Sequence, residues 1–116
     1  MVNLKRDRSK PQSDDLSVSE QIEEYRQRID KLDKEIVRLL NLRARCALAV
    51  GELKKSAGLD TYQPDREVSV LEHARVESDG PLHDSAITRI FERIIDESLQ
   101  LERTAEGKNV KGQVEA

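Results

Sequence analysis

The sequence predicts an all-α protein whose protomer has three helices, the first of them very long. Apolar residues recur at steps of three and four in a heptad-like rhythm without proline, which is typical of amphipathic helices. Two glycine-containing breaks, at 56–58 and 78–81, divide the chain into three such segments. With 37% charged and 3% aromatic residues, the 116-residue chain cannot fill a thick core, so it forms one domain with narrow apolar stripes.

The first predicted helix begins near Ser17 or Ser19, either of which can cap it, with Glu20 near the positive end of the helix dipole. It ends at 56–58, because Gly58 suits a left-handed C-terminal position. Gly51, in mid-helix, indicates either a close approach by another group or simple tolerance. The apolar stripe consists of Ile22, Tyr25, Ile29, Leu32, Ile36, Leu39, Cys46, Val50 and Leu53.

A helix of roughly 38 residues is about 57 Å long, far more than two short helices can cover. A second copy of the chain must bury the rest of its stripe, so the sequence predicts an obligate dimer. Arg26 points about 100° away from Arg43 around this helix and could face the partner chain.

The second helix is predicted from Pro64, at a favoured first position, to Glu77, and it buries Val68 and Leu71. The third runs from about Asp84 to Arg103 with a strongly apolar face. The predicted domain spans 17–104, between disordered tails at 1–16 and 105–116.

Several classes of function find no support. The net charge of −3 and the lack of a basic-aromatic pattern argue against nucleic acid or an anionic membrane as partner. Cys46 is the only cysteine and is predicted to be a small buried group. His73 and His83 lack ligands at metal-binding spacing, so we predict no metal site. With no signal peptide or apolar span, a cytoplasmic protein is expected.

Polar residues interrupt the apolar stripes where a core is expected. Arg43 and Lys54 differ by eleven positions, hence by about 20° around the first helix. On the third helix, Ser98 and Glu102 continue the stripe of Phe91. Buried charges need mates or a ligand, so these groups indicate a shared pocket for a dianion. The alternative, that the cations reach water and Glu102 pairs with one of them, stays open at this point.

The residues also resemble a known family, the all-helical (AroQ-class) chorismate mutases. The likeness covers about 20–103, and its segments stand in the family's order: 26–33 with Ile36, Leu39, Leu40 and Arg43, then 50–54, 63–67 and 94–98. It implies an intertwined homodimer of three-helix protomers, in which the two long first helices lie together around two active sites. It also implies the rearrangement of chorismate to prephenate, within the shikimate pathway of aromatic amino acid biosynthesis. This reaction needs no metal or other cofactor, so none is expected.

The resemblance assigns the site residues as follows. Arg43, Arg66 and Ser98 lie at the substrate, with Arg43 on a carboxylate, while Arg26 reaches a carboxylate in the neighbour's site. Lys54 binds the ether oxygen, and Glu67 binds the C4 hydroxyl. Gln63 stands where many relatives have Asp, which affects recognition of the C4 substituent. Glu102 stands where many have Gln, and as a protonated acid it would donate to the ether oxygen together with Lys54.

Other functions remain compatible with these residues. A 4-amino-4-deoxychorismate mutase is the nearest, because Gln63, Glu67 and the carboxylate of Glu102 could accommodate an amine. Isochorismate-pyruvate lyase shares the fold, although the Arg66–Glu67 pair is more like the mutase motif. A non-enzymatic helical dimerisation module would explain the heptads but not the polar residues within the stripes.

Overall fold

The computed structural model describes residues 16–107, with side chains as far as 105, and this part of the chain contains three helices and no strand. The helices are α1 (Val18–Ala57), α2 (Pro64–Glu77) and α3 (Asp84–Gly107). The prediction of an all-α, three-helix protomer is confirmed for these residues. Most of both predicted tails, 1–15 and 108–116, lies outside the described residues.

The start of α1 is fixed by a reciprocal pair of hydrogen bonds. The backbone N–H of Glu20 donates to Oγ of Ser17 at 3.1 Å, and the backbone N–H of Ser17 donates to Oε1 of Glu20 at 3.0 Å. This arrangement is a capping box, which satisfies two backbone donors that the helix itself leaves without partners. Ser17, and not Ser19, is therefore the capping residue.

The end of α1 is equally well defined. Gly58 has φ = 71°, a left-handed conformation that only glycine adopts without strain. The N–H of Gly58 donates to the carbonyl of Lys55 at 3.2 Å, and that of Leu59 donates to the carbonyl of Lys54 at 2.8 Å. These two bonds form a Schellman motif. Because Lys54 contributes its carbonyl, its backbone is held where the helix stops.

The chain divides into two compact units, Met1–Leu39 and Leu40–Ala116. In the first unit the described part of α1 exposes its heptad stripe. Six apolar side chains are between 45% and 62% exposed: Ile22, Tyr25, Ile29, Leu32, Ile36 and Leu39. Exposure of so regular an apolar surface is costly in water.

The second unit contains the remainder of α1 together with α2 and α3. Helix α2 packs against α3, and Nη1 of Arg75 donates to Oγ1 of Thr88 at 3.1 Å between them. Ile95 on α3, at 9% exposure, is the most buried apolar residue described. Leu71 is half-buried. The prediction for Val68 was wrong, since this side chain is 57% exposed.

Helix α3 ends at Gly107, four residues beyond the predicted end at Arg103. No glycine or proline precedes Gly107 in this stretch, so nothing in the sequence stops the helix earlier. Within 16–107, no helix has the length and apolar character needed to cross a membrane.

Candidate active site

All three helices of the second unit contribute to one cavity of about 310 Å³. Its polar wall consists of Arg43, Lys54, Thr61, Gln63, Arg66, Glu67, Ser98 and Glu102. Its remaining wall consists of Cys46, Ala47, Val50, Val70, Ile95 and Leu99. A concave, mainly apolar site with a few convergent charged groups is typical of small-molecule binding sites.

The α1 wall carries two cations on one helix face. Arg43 and Lys54 are both half-buried, three turns apart, with Val50 and Ala47 between them. Nη1 of Arg43 donates to Oγ of Ser98 on α3 at 3.3 Å. This bond orients the guanidinium toward the cavity and leaves further N–H donors for a ligand.

On the α2 side of the cavity, Gln63 is hydrogen-bonded to the second cation of α1, Lys54. Nζ of Lys54 donates to Oε1 of Gln63 at 2.5 Å. Gln63 occupies the N-cap position of α2, yet its side chain makes no capping bond, because its oxygen is turned to Lys54. Arg66 and Glu67 follow within the first turn of α2, Arg66 exposed and Glu67 half-buried.

The α3 wall places Ser98 and Glu102 one turn apart, both half-buried. Glu102 faces Gly51 of α1: a Cβ added at Gly51 would lie 3.9 Å from both Cγ and Cδ of Glu102. That distance is an ordinary van der Waals contact, so α3 approaches α1 at this point without requiring glycine.

The charges suit an anion that also carries polar substituents. Three cationic side chains, Arg43, Lys54 and Arg66, share the cavity with two carboxyl groups, Glu67 and Glu102. Guanidinium groups bind carboxylates with two parallel hydrogen bonds, whereas an ammonium acts as a compact point charge. The lining can therefore hold two carboxylates and still present a separate donor, Lys54, to another oxygen.

The structure brings together every predicted site residue of the second unit, namely Arg43, Lys54, Gln63, Arg66, Glu67, Ser98 and Glu102. Arg26 lies on α1 in the first unit and is exposed.

Two cavity residues were missed or misjudged from the sequence. Thr61 lines the cavity from the loop before α2, and its only signal was its position two residues before Gln63. Cys46 is exposed and lines the cavity, so its prediction as a buried group was wrong. Within 16–107, no three His, Cys, Asp or Glu side chains are placed to hold a metal ion.

Comparisons with known proteins agree on one family. The family described as chorismate mutase type II matches residues 25–103. A chorismate mutase structure (form II) from Thermus thermophilus has a TM-score of 0.69 and 36% identity, covering 72% of this chain and 94% of that one.

Two similar relatives are bifunctional chorismate mutase/prephenate dehydratases. The one from Neisseria gonorrhoeae is 41% identical over 87 residues, which are 75% of this chain. The one from Aquifex aeolicus is 38% identical over 88 residues, 72% of this chain. In both cases the match spans only 24% of the relative's own length.

Proposed function

The chain belongs to the type II chorismate mutase family, and from this premise we propose that it catalyses the rearrangement of chorismate to prephenate. One observation carries the proposal: a single cavity gathers Arg43, Arg66 and Lys54 around an otherwise mainly apolar wall. Chorismate is a dicarboxylate with an ether oxygen between its two parts, so its negative charges and this oxygen suit a cavity lined by cations.

The reaction is an intramolecular [3,3] rearrangement, in which the ether C–O bond breaks while a new C–C bond forms. It needs no nucleophile and moves no proton. The protein has to hold the substrate in its compact diaxial conformer, which removes the entropic cost of reaching the reactive geometry. It also has to stabilise the negative charge that develops on the ether oxygen.

The proposed binding roles follow from where the side chains lie. Arg43, oriented by Ser98, binds one substrate carboxylate. Arg66, on the α2 side of the cavity, contributes a second guanidinium. Glu67 accepts a hydrogen bond from the C4 hydroxyl, and Ser98 lies near a carboxylate.

The proposed electrostatic roles belong to Lys54 and Glu102. Lys54 retains N–H donors besides the one bonded to Gln63, since an ammonium group has three. One of them is directed to the ether oxygen in our proposal. Glu102 assists as a neutral acid, because only the protonated form can donate to the same oxygen.

We propose that the active species is an intertwined homodimer in which Arg26 enters the partner's site and binds the second carboxylate. The exposed stripe from Ile22 to Leu39 supports this assembly. A monomer would leave these side chains in water, whereas two copies packed along α1 would bury them.

The direct test is incubation of the purified protein with chorismate, following the loss of chorismate absorbance and identifying prephenate as the product. An inactive Arg43→Ala variant prepared in parallel controls for a contaminating mutase. Stable chorismate in the presence of folded, dimeric wild-type protein would overturn the proposal. The cytoplasmic location stays a prediction, which fractionation of expressing cells would test.

A further inference from the structure

We propose that Gly51 is a positioning residue for the reaction: because it has no side chain, the carboxyl group of Glu102 can lie against α1 and reach into the cavity that it shares with Lys54. This inference rests on the proposed function, in which Glu102 acts on the ether oxygen. It assigns a role to a residue that does not itself line the cavity.

The space above Gly51 is occupied by the end of the Glu102 side chain. A Cβ added at Gly51 would lie 3.9 Å from Cγ and 3.9 Å from Cδ of Glu102. Apart from the adjacent residues and the backbone of α1, no other atom of residues 16–107 comes within 4 Å of that point. Both residues are half-buried. One carboxyl group, and no other side chain, therefore uses the room that the glycine leaves.

This contact lies at the edge of the cavity face of α1. At about 100° per residue, Gly51 is about 60° from Lys54 and about 40° from Ala47 around the helix axis. Lys54 and Ala47 both line the cavity. Along the axis, Lys54 is about 4.5 Å beyond Gly51, which is less than one turn. Glu102 thus meets α1 next to the cation with which we propose that it acts.

The size of the residue at position 51 limits how closely Glu102 can approach. The single carbon of an alanine would make an ordinary contact at 3.9 Å. A longer side chain places further carbons about 1.5 Å beyond Cβ, where the carboxyl of Glu102 now lies, and contacts much shorter than about 3.5 Å are repulsive. The backbone of α1 is fixed by its own hydrogen bonds, so the side chain of Glu102 is what has to move.

Displacement of this carboxyl should slow the reaction without removing any group from the site. A hydrogen-bond donor to a developing charge has to be in place before the reaction occurs. A displacement of about 1 Å can cost roughly 10²-fold in rate. Gly51 therefore acts through Glu102, and its substitution should have the same consequences as loss of the Glu102 carboxyl.

The experiment is a double-mutant cycle, in which kcat/KM for chorismate is measured for the wild-type dimer, Gly51→Leu, Glu102→Ala and the double variant. Each single change should lower kcat/KM by roughly 10²-fold, mainly through kcat, because the contact matters most in the transition state. The double variant should stay within about threefold of Glu102→Ala, since the leucine then has no carboxyl to displace. From about pH 5 to about pH 9, the profile of Gly51→Leu should match that of Glu102→Ala.

Three further variants separate this role from a general effect on the helix. Ala49→Leu is the matched control, because Ala49 is exposed on α1 and does not line the cavity; it should keep the wild-type kcat/KM and pH profile. Gly51→Ala should lose far less activity than Gly51→Leu, since it adds only one carbon. If Gly51→Leu does not fold, Gly51→Met replaces it, because methionine is unbranched and a good helix former, and a loss of about tenfold or more is expected.

The outcomes distinguish this proposal from the proposed function. If the losses multiply to about 10⁴-fold in the double variant, Gly51 acts independently of Glu102 and the positioning role is overturned. Wild-type kcat/KM with a wild-type pH profile in folded Gly51→Leu overturns it as well. If the folded wild-type dimer does not rearrange chorismate at all, the proposed function fails and the positioning role fails with it.

Discussion

Arg43 on α1 and Ser98 on α3 are joined by a hydrogen bond of 3.3 Å between Nη1 and Oγ. The bond connects two helix faces that are fifty-five residues apart in the sequence. Both side chains are half-buried, where a hydrogen bond to a charged group contributes more than one in water. The serine therefore restricts the rotamers of the guanidinium that we assign to a substrate carboxylate.

Ser98→Ala should lower kcat/KM for chorismate by about tenfold, the value of one hydrogen bond to a charged group. Most of the loss should appear in KM, because the guanidinium remains but is less well oriented. Steady-state kinetics on the purified variant measure both parameters. Ser85→Ala, at the exposed start of α3, is the matched control and should behave like wild type; equal effects of the two changes would contradict this role for Ser98.

Lys54→Ala should lower kcat/KM by roughly 10²-fold or more, since a preorganised donor to a developing oxyanion contributes a few kcal/mol. Lys55→Ala removes the same group from the next position, which is exposed and does not line the cavity, and should have little effect. Far-ultraviolet circular dichroism checks that both variants keep their helices. Near wild-type turnover by Lys54→Ala would show that Lys54 does not stabilise the negative charge that develops on the ether oxygen.

Two glycines in and beside α1 should respond to alanine with opposite signs. Gly51 is helical and has room for a methyl group 3.9 Å from Glu102, so Gly51→Ala should stabilise the protein by up to about 1 kcal/mol. Gly58 has φ = 71°, so Gly58→Ala should destabilise it by about 1 kcal/mol. Thermal unfolding at matched protein concentration tests both. A lower Tm for Gly51→Ala would show that the side chain of Glu102 lies closer to position 51 than the 3.9 Å found between it and an added Cβ.

Arg26→Ala and Arg43→Ala should each be inactive alone, yet recover activity when the two proteins are unfolded together and refolded as a mixture. A heterodimer contains one site with both arginines, so random pairing should restore about a quarter of wild-type activity. Each variant refolded alone is the control. Absence of recovery, with dimers present by light scattering, would show that Arg26 does not act across the interface.

Much of the fold follows from local signals in the sequence. Gly58 marks the end of α1 because glycine readily adopts the left-handed conformation that ends a helix. Pro64 marks the start of α2 because its fixed φ suits the first helical position. The choice between Ser17 and Ser19 was open in the prediction but could be read from the sequence, because only Ser17 has a glutamate three residues later. The reciprocal bonds between Ser17 and Glu20 show that this capping box forms.

Two features of the site were harder to predict: the contacts made by the loop before α2, and the exposure of side chains in the apolar stripes. Periodicity placed Arg43 with Lys54 and Ser98 with Glu102, because each pair lies on one regular helix. The bond between Lys54 and Gln63 depends on the path of 59–63, which no periodic pattern describes. The exposure of Cys46 reflects an open cavity between helices, and an apolar stripe in a sequence does not distinguish a cavity wall from a packed core.

The last prediction concerns the protonation of Glu102, which shares the cavity with Lys54. A neutral carboxyl can donate to the ether oxygen, whereas a carboxylate would repel the charge that develops there. Activity on chorismate should therefore be present at low pH, where the neutral acid is available, and fall at higher pH, where the carboxylate replaces it. Glu102→Gln supplies a donor of nearly the same shape that does not titrate in this range, so it should remove the fall.

The measurement is kcat/KM on chorismate from about pH 5 to about pH 9 for both proteins, with Glu97→Gln as the matched control. Glu97 is exposed on the same helix and pairs with Arg93 at 2.7 Å, so its variant should keep the wild-type profile. If Glu102→Gln and wild type have identical profiles, Glu102 is not the donor. If the variant is inactive at every pH while still folded and dimeric, the negative charge of Glu102 is what the reaction uses. If kcat/KM of Glu102→Gln is independent of pH and stays high at high pH, the wild-type enzyme uses Glu102 as a neutral acid. Glutamine can replace only the protonated form of Glu102, because only that form donates a hydrogen bond.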